Sequence, residues 1–205
     1  MTLPPVVRVF FAIDLPTAAK EKLGRFIGSL KKKSRTHAIR WSKPENLHIT
    51  LQFLAEVRSE HIQTMLQNVR QEMEGAVRHS TFNMGRLHLF PDPYRPRVIV
   101  LDVTPQSELN KLAILIGQGI QKTHYEIEDR PFRAHLTIGR IKQPQGLNMG
   151  FLSECTSPEL EEMALREVVF FRSEPQPEGS RYSPIERISI RDTSTLGPSH
   201  RHIGE

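Results

Sequence analysis

The sequence predicts an α+β fold of two pseudo-symmetric β-α-β-α-β lobes whose antiparallel sheets face a central cleft. Three observations predict it. Two apolar, β-rich runs, residues 8–14 and 97–102, each end in an Asp with a Pro close behind, Pro16 and Pro105. Each run is followed by a helical pattern and then by a strand with one shared tripeptide pattern, His48-Ile49-Thr50 and His135-Leu136-Thr137. His48 lies 34 positions after Asp14, and His135 lies 33 after Asp102, so the halves keep one register.

The elements follow in order from these anchors. The opening runs read as buried strands because they are continuous, branched and aromatic. Ala18, Leu23, Phe26, Ile27 and Leu30 in the first half, and Leu109, Leu112, Ile116 and Ile120 in the second, recur at spacings that suit one face of a helix. Beyond each His-x-Thr strand the pattern predicts a second helix, over residues 59–73 and, shorter, over 157–165. A further strand follows in each half, over 81–90 and 166–173. A repeat of about 88 residues in two copies is too long and too few for a solenoid, so it argues for two facing lobes. Antiparallel pairing is favoured over a doubly wound parallel sheet because no Gly-rich phosphate loop joins strand to helix. Gly117-Gln118-Gly119 is too short a match to a nucleotide fingerprint and falls inside the predicted helix. Residues 1–192 are expected to form one bilobal domain, with repeat starts near 8 and 97, and residues 193–205 a flexible C-terminal tail.

Composition narrows the function classes. At 205 residues folding buries roughly 70% of the unfolded chain's surface, so a core is available without disulfides or a structural metal. The single Cys155 cannot form an intramolecular disulfide and reads as a small, partly buried side chain. No run approaches the length of a membrane span and no signal peptide is legible, which makes the cytoplasm the expected location. Lys and Arg number 28 against 23 Asp and Glu, a net +5 that favours phosphate-bearing partners without identifying one. Lys31, Lys32 and Lys33 read as a solvated turn after a helix.

The chemistry sits in the repeated tripeptide. Residues i and i+2 of a strand share a face, so His48 with Thr50, and His135 with Thr137, present an imidazole and a hydroxyl to a polar surface. If the lobes are related by a pseudo-twofold axis, the two pairs converge on one cleft. For His37, His61, His79, His88 and His124 the expected reading is an exposed or hydrogen-bonded residue. The same reading of both repeat-related histidines would need a coincidence of residue, face and register. Two imidazoles around one phosphorus suit phosphodiester cleavage, since each can be neutral base or charged acid near neutrality. The threonine hydroxyls can donate to non-bridging oxygens, and Arg140, three residues beyond Thr137, can add a charged fork. Neither motif carries a Cys or carboxylate at ligand spacing, so no metal and no other cofactor is expected, although His200 and His202 could catch adventitious metal. A serine nucleophile lacks its elbow motif, and Cys155 lacks a recognisable setting.

These residues resemble the 2H phosphoesterases, named for two HxT/S motifs, and within them the RNA 2′,3′-cyclic phosphodiesterases, also called 2′-5′ RNA ligases. The likeness spans residues 7–190. It rests on Val9-Phe10-Phe11-Ala12-Ile13, on Arg40-Trp41 and Pro44-Glu45-Asn46-Leu47 leading into residues 48–54, on Arg130-Pro131-Phe132 leading into residues 135–140, and on Gly179-Ser180-Arg181-Tyr182. The resemblance implies a bilobal antiparallel fold and hydrolysis of RNA 2′,3′-cyclic phosphate ends, tRNA fragments among them, to 2′-phosphates without metal or nucleotide cofactor. By position it makes His48 the acid that protonates the 3′-oxygen and His135 the base that activates water, with Thr50, Thr137 and Arg140 on the phosphate. It also places Phe53 near the terminal nucleobase, yet strict alternation from Thr50 puts Gln52 on the cleft face unless the strand bends. Ala55 replaces a common Gly, and Gly139 a common Ala; both keep the position small. Reverse 2′-5′ ligation, cleavage of 2′-5′ linked oligonucleotides, and a non-catalytic RNA-end-binding module remain as alternatives.

Overall fold

The computed structural model describes residues 3–76, 80–143, 147–177 and 179–190. The expected tail at 193–205, His200 and His202, and His79 lie outside them. Among the described residues, nine strands and three α-helices run in the order β1 (Val6–Asp14), α1 (Thr17–Ser34), β2 (Ile39–Trp41), β3 (His48–Arg58), α2 (Ile62–Met73), β4 (Ser80–Phe90), β5 (Val98–Thr104), α3 (Gln106–Gln121), β6 (His135–Ile141), β7 (Met163–Leu165), β8 (Glu167–Glu174) and β9 (Arg181–Ser189). They build two wholly antiparallel sheets, β3-β1-β8-β9 and β2-β6-β5-β4-β7. No helix among the described residues is long and apolar enough to cross a membrane.

The two sheets are not the two halves of the sequence. The third strand of each half crosses over: β4 pairs with β5, and β8 pairs with β1. A strand's apolar pattern says which face is buried but not which neighbour it pairs with, so the exchange is invisible in the repeat. The internal symmetry survives it. β1 and β5 each stand between their own His-x-Thr strand and the strand lent by the other half.

A second expectation fails at residues 157–165. They form no α-helix; a 3₁₀ turn occupies Gly150–Leu152, and β7 is an edge strand on β4. Met163 and Leu165 are buried around an exposed Ala164, a period of two that matches their pairing beside Phe82. The edge of β4 outcompetes helix propensity here. The Ser157 hydroxyl accepts the Leu87 amide next to the irregularity of β4, which anchors the approach to that edge.

One apolar cluster draws from all three helices and from one face of each sheet. Gly119 lets α3 sit directly on α2, since a Cβ there would meet the Val69 backbone at 2.6 Å. Gly117 leaves room for the Gln52 amide to donate to the Ala113 carbonyl, joining β3 to α3. The glycine pair therefore serves helix packing. Lys31, Lys32 and Lys33 are exposed in the last turn of α1, where they offset the carbonyl end of the helix. Cys155 is partly buried, with its sulfur on the Phe151 carbonyl.

Candidate active site

The faces of the two sheets turned away from the helices carry the polar tripeptides. Asp14 stands opposite His48 and Asp102 opposite His135 in register; Ala12 stands opposite Thr50 and Val100 opposite Thr137. Immediately after each Thr the ladder slips by one residue. Leu51 is the extra residue on β3 and Ile138 on β6, and both turn into the core. An extra residue of this kind reverses the alternation beyond it. The fifth residue after each His, not the fourth, therefore returns to the cleft face.

Those residues are Phe53 and Arg140, paired with Phe10 and Val98. Gln52 goes to the core side, as its bond to Ala113 requires, and Phe53 is 40% exposed with the Arg8 guanidinium 5.3 Å from its ring centre. Gly139 is buried against Ile39, Trp41 and Ile99, where a Cβ would sit within 3.1–3.4 Å of their side chains. The bend that strict alternation left open is a matched pair of bulges.

One cavity holds His48, Thr50, His135, Thr137 and Arg140 together, walled by Arg40, Trp41, Ser42, Lys43, Asn46, Gly179, Ser180 and Tyr182. Phe53 is not in its wall. Of the other wall residues, Arg40, Trp41, Asn46, Gly179, Ser180 and Tyr182 are legible in the sequence only as parts of longer motifs with no role attached, and Ser42 and Lys43 carry no signal there. Asn46 does two things: its carbonyl accepts the Nδ1 hydrogen of His48 at 2.7 Å, and its amide donates to the Ser180 carbonyl at 2.8 Å. It ties the strand entry to the turn before β9. The short 3₁₀ turn Pro44–Asn46 is in turn pressed on α1, with Pro44 where a Gly24 Cβ would be.

His135 repeats the arrangement, donating from Nδ1 to the Arg133 carbonyl at 2.8 Å. A carbonyl can only accept, so each neutral ring carries its proton on Nδ1 and leaves Nε2 as a bare acceptor. At His48 that acceptor lies 3.0 Å from the Thr50 hydroxyl, which donates to it. Phe10 at 4.7 Å, Tyr182 edge-on at 5.1 Å and Phe171 at 6.3 Å surround the His48 ring. Burial among them pushes its pKa down to about 4, against the upward pulls of the Asn46 carbonyl and Asp14; Arg140 and Lys20 add to the fall. Burial lowers His135 as well, beneath a stacked Phe90 at 5.2 Å, opposed by the Arg133 carbonyl and reinforced by Arg140, His88 and Arg133. The charge of Arg140 lowers both imidazoles.

Of the remaining histidines, His37 and His124 are exposed and His61 bonds the Tyr125 hydroxyl. His88 departs from that pattern: it sits on the cleft face with Nδ1 3.3 Å from Asp102 and a buried Nε2 that has no partner among the described residues. No group of three or more His, Cys, Asp or Glu that could hold a metal ion occurs among the described residues.

A family model described as LigT like Phosphoesterase matches residues 13–100. An RNA 2′,3′-cyclic phosphodiesterase of Archaeoglobus fulgidus is 30% identical over 179 residues, which are 87% of this chain and 98% of that protein. A protein of the same description from Methanothermobacter thermautotrophicus is 29% identical over 182 residues, 88% of this chain and 97% of the other. Among solved structures, Escherichia coli LigT in apo form is 25% identical with a TM-score of 0.70, covering 91% of this chain and 98% of its own. A crystal structure from Thermus thermophilus has a TM-score of 0.71 at 23% identity, a likeness of fold over 91% of this chain and 99% of the other. An alignment that takes in nearly the whole of a relative at this identity, on a shared two-sheet fold, establishes that the chain belongs to the LigT-like phosphoesterase family, within the 2H phosphoesterases.

Proposed function

We propose that this chain hydrolyses RNA 2′,3′-cyclic phosphate ends to 2′-phosphates, with His48 as general acid and His135 as general base. The observation that carries the reading is the pair of repeat-related imidazoles, each held by a backbone carbonyl so that Nε2 is its working atom, around one cavity with two hydroxyls and a guanidinium. Such a cavity matches a cyclic phosphodiester with one sugar oxygen leaving and one water entering. Water's proton passes to Nε2 of His135 as its oxygen bonds phosphorus. The bond from phosphorus to the 3′-oxygen breaks, and that oxygen takes the proton from Nε2 of His48. Thr50, Thr137 and Arg140 donate to the non-bridging oxygens, where charge accumulates. A buried His48 is a strong acid once loaded, and the substrate's anionic phosphate favours loading it. Phe53, with Arg8 over it, offers a stacking face for the terminal base beside the cavity.

Residues 1–192 act in this reading as one bilobal unit, consistent with a core cluster that spans both sheets. The RNA ends would come from a cytoplasmic pool such as tRNA fragments. Ligation to a 2′-5′ linkage would use the same two histidines in reverse. Purified protein with a nucleoside 2′,3′-cyclic phosphate is expected to yield the 2′-phosphate, read by phosphorus NMR. A 3′-phosphate product would reverse the roles of the two histidines, and no turnover on cyclic ends alongside cleavage of 2′-5′ linked oligonucleotides would replace the substrate class. EDTA should leave turnover unchanged; loss on chelation with rescue by a divalent ion would overturn the metal-free mechanism.

A further inference from the structure

The matched registers of the two sheets allow their cleft faces to be compared position by position. Asp14 corresponds to Asp102, Ala12 to Val100, and the strand lent by the other half contributes Val169 beside Ala12 and His88 beside Val100. Phe171 and Phe90 correspond in the same way, and both are ring neighbours of the motif histidines. At the Val169 position the first sheet is wholly apolar and buried. The second sheet instead buries an imidazole nitrogen with no partner among the described residues, an arrangement that costs free energy and calls for a reason.

His88 belongs to a chain of contacts that ends on His135. Its Nδ1 is 3.3 Å from one oxygen of Asp102, and the other oxygen takes the Arg133 guanidinium at 3.1 Å. Arg133 also supplies the carbonyl that holds His135 Nδ1, and Asp102 stands directly opposite His135. We propose that His88, held by Asp102 and through it by Arg133, is a positioning residue that keeps His135 in its neutral form. The inference rests on reading His135 as an acid/base residue.

The charged and titratable groups around His135 are Asp102 from β5, Arg140 from β6 itself, Arg133 from the segment before β6 and His88 from β4. Both oxygens of Asp102 are engaged, one by His88 and one by Arg133, so the carboxylate offers little to a charged His135, and Arg140, His88 and Arg133 each lower the proton affinity of that ring. His135 is then kept in the neutral form that a base needs.

The test is a ring-nitrogen NMR titration of the full chain as wild type, His88→Val and His88→Gln, with kcat/KM against pH on a nucleoside 2′,3′-cyclic phosphate. Valine is what the equivalent position of the first sheet already buries; glutamine keeps a polar contact without a titrating proton and carries the test if the valine variant does not fold. In both variants the His135 midpoint should rise by about half a unit or more, and the pH profile should shift upward with it. A His135 midpoint unchanged from wild type in both variants overturns the proposal. His135→Ala separates the two ideas: wild-type turnover there sinks the acid/base reading itself, whereas an inactive His135→Ala beside unmoved His88 variants sinks only the role of His88.

Discussion

His48 and His135 share one backbone device, a ring proton fixed on Nδ1 by the carbonyl two residues earlier, so their difference lies in what surrounds them. Removing either ring by His48→Ala or His135→Ala should cost on the order of 10²- to 10⁴-fold in kcat/KM, the range for general acid or base help. The double variant should lose less than the product of the single losses, because the second group has little left to do once the first is gone. Near-wild-type turnover in either single variant would make that histidine structural. Arg140→Lys keeps the charge but not the two-pronged contact, and should lower kcat/KM in the same assay; no change would return Arg140 to the surface. The rings also bear on pH. Both pKa values are lowered in the free protein, His48 to about 4, so kcat/KM should be bell-shaped with its maximum on the acid side of the ordinary imidazole value of 6.5. A plateau extending well above neutrality would contradict this.

At the scale of elements, the bulges after Thr50 and Thr137 decide which later residue reaches the cleft. They were not legible, because a bulge depends on the partner strand as much as on its own residues, and Leu51 and Ile138 look like any other apolar strand position. The third-strand exchange and the extended course of residues 157–165 escaped for the same reason. The helices were legible, because their apolar period needs no partner to be read. Their closest contact is testable: Gly119→Ala puts a methyl carbon onto the Val69 backbone and should destabilise by about 1–3 kcal/mol, measured by denaturant unfolding. An unchanged midpoint would mean that α2 and α3 can part without cost.

For the whole molecule, the lowered histidines link stability to pH. Above 6.5 both folded and unfolded rings are neutral and contribute nothing; as pH falls from there towards about 4, the unfolded chain binds protons that the folded chain resists, and stability falls. Denaturant midpoints at pH 5 and pH 7 should show this loss, and His48→Ala should reduce it; an equal loss in the variant would assign the effect to other groups. The sequence by itself determined the repeat, the two His-x-Thr strands, their shared face and the family resemblance, because these depend on local spacing and on residue types that a strand or helix presents without help. Only the tertiary structure decided which strands exchange, which side Phe53 and Arg140 face, and that Asn46, Tyr182, Phe10 and His88 surround the two imidazoles. Those outcomes are set by pairing and burial between segments far apart in the chain, and a period of two along one strand carries no information about its neighbour.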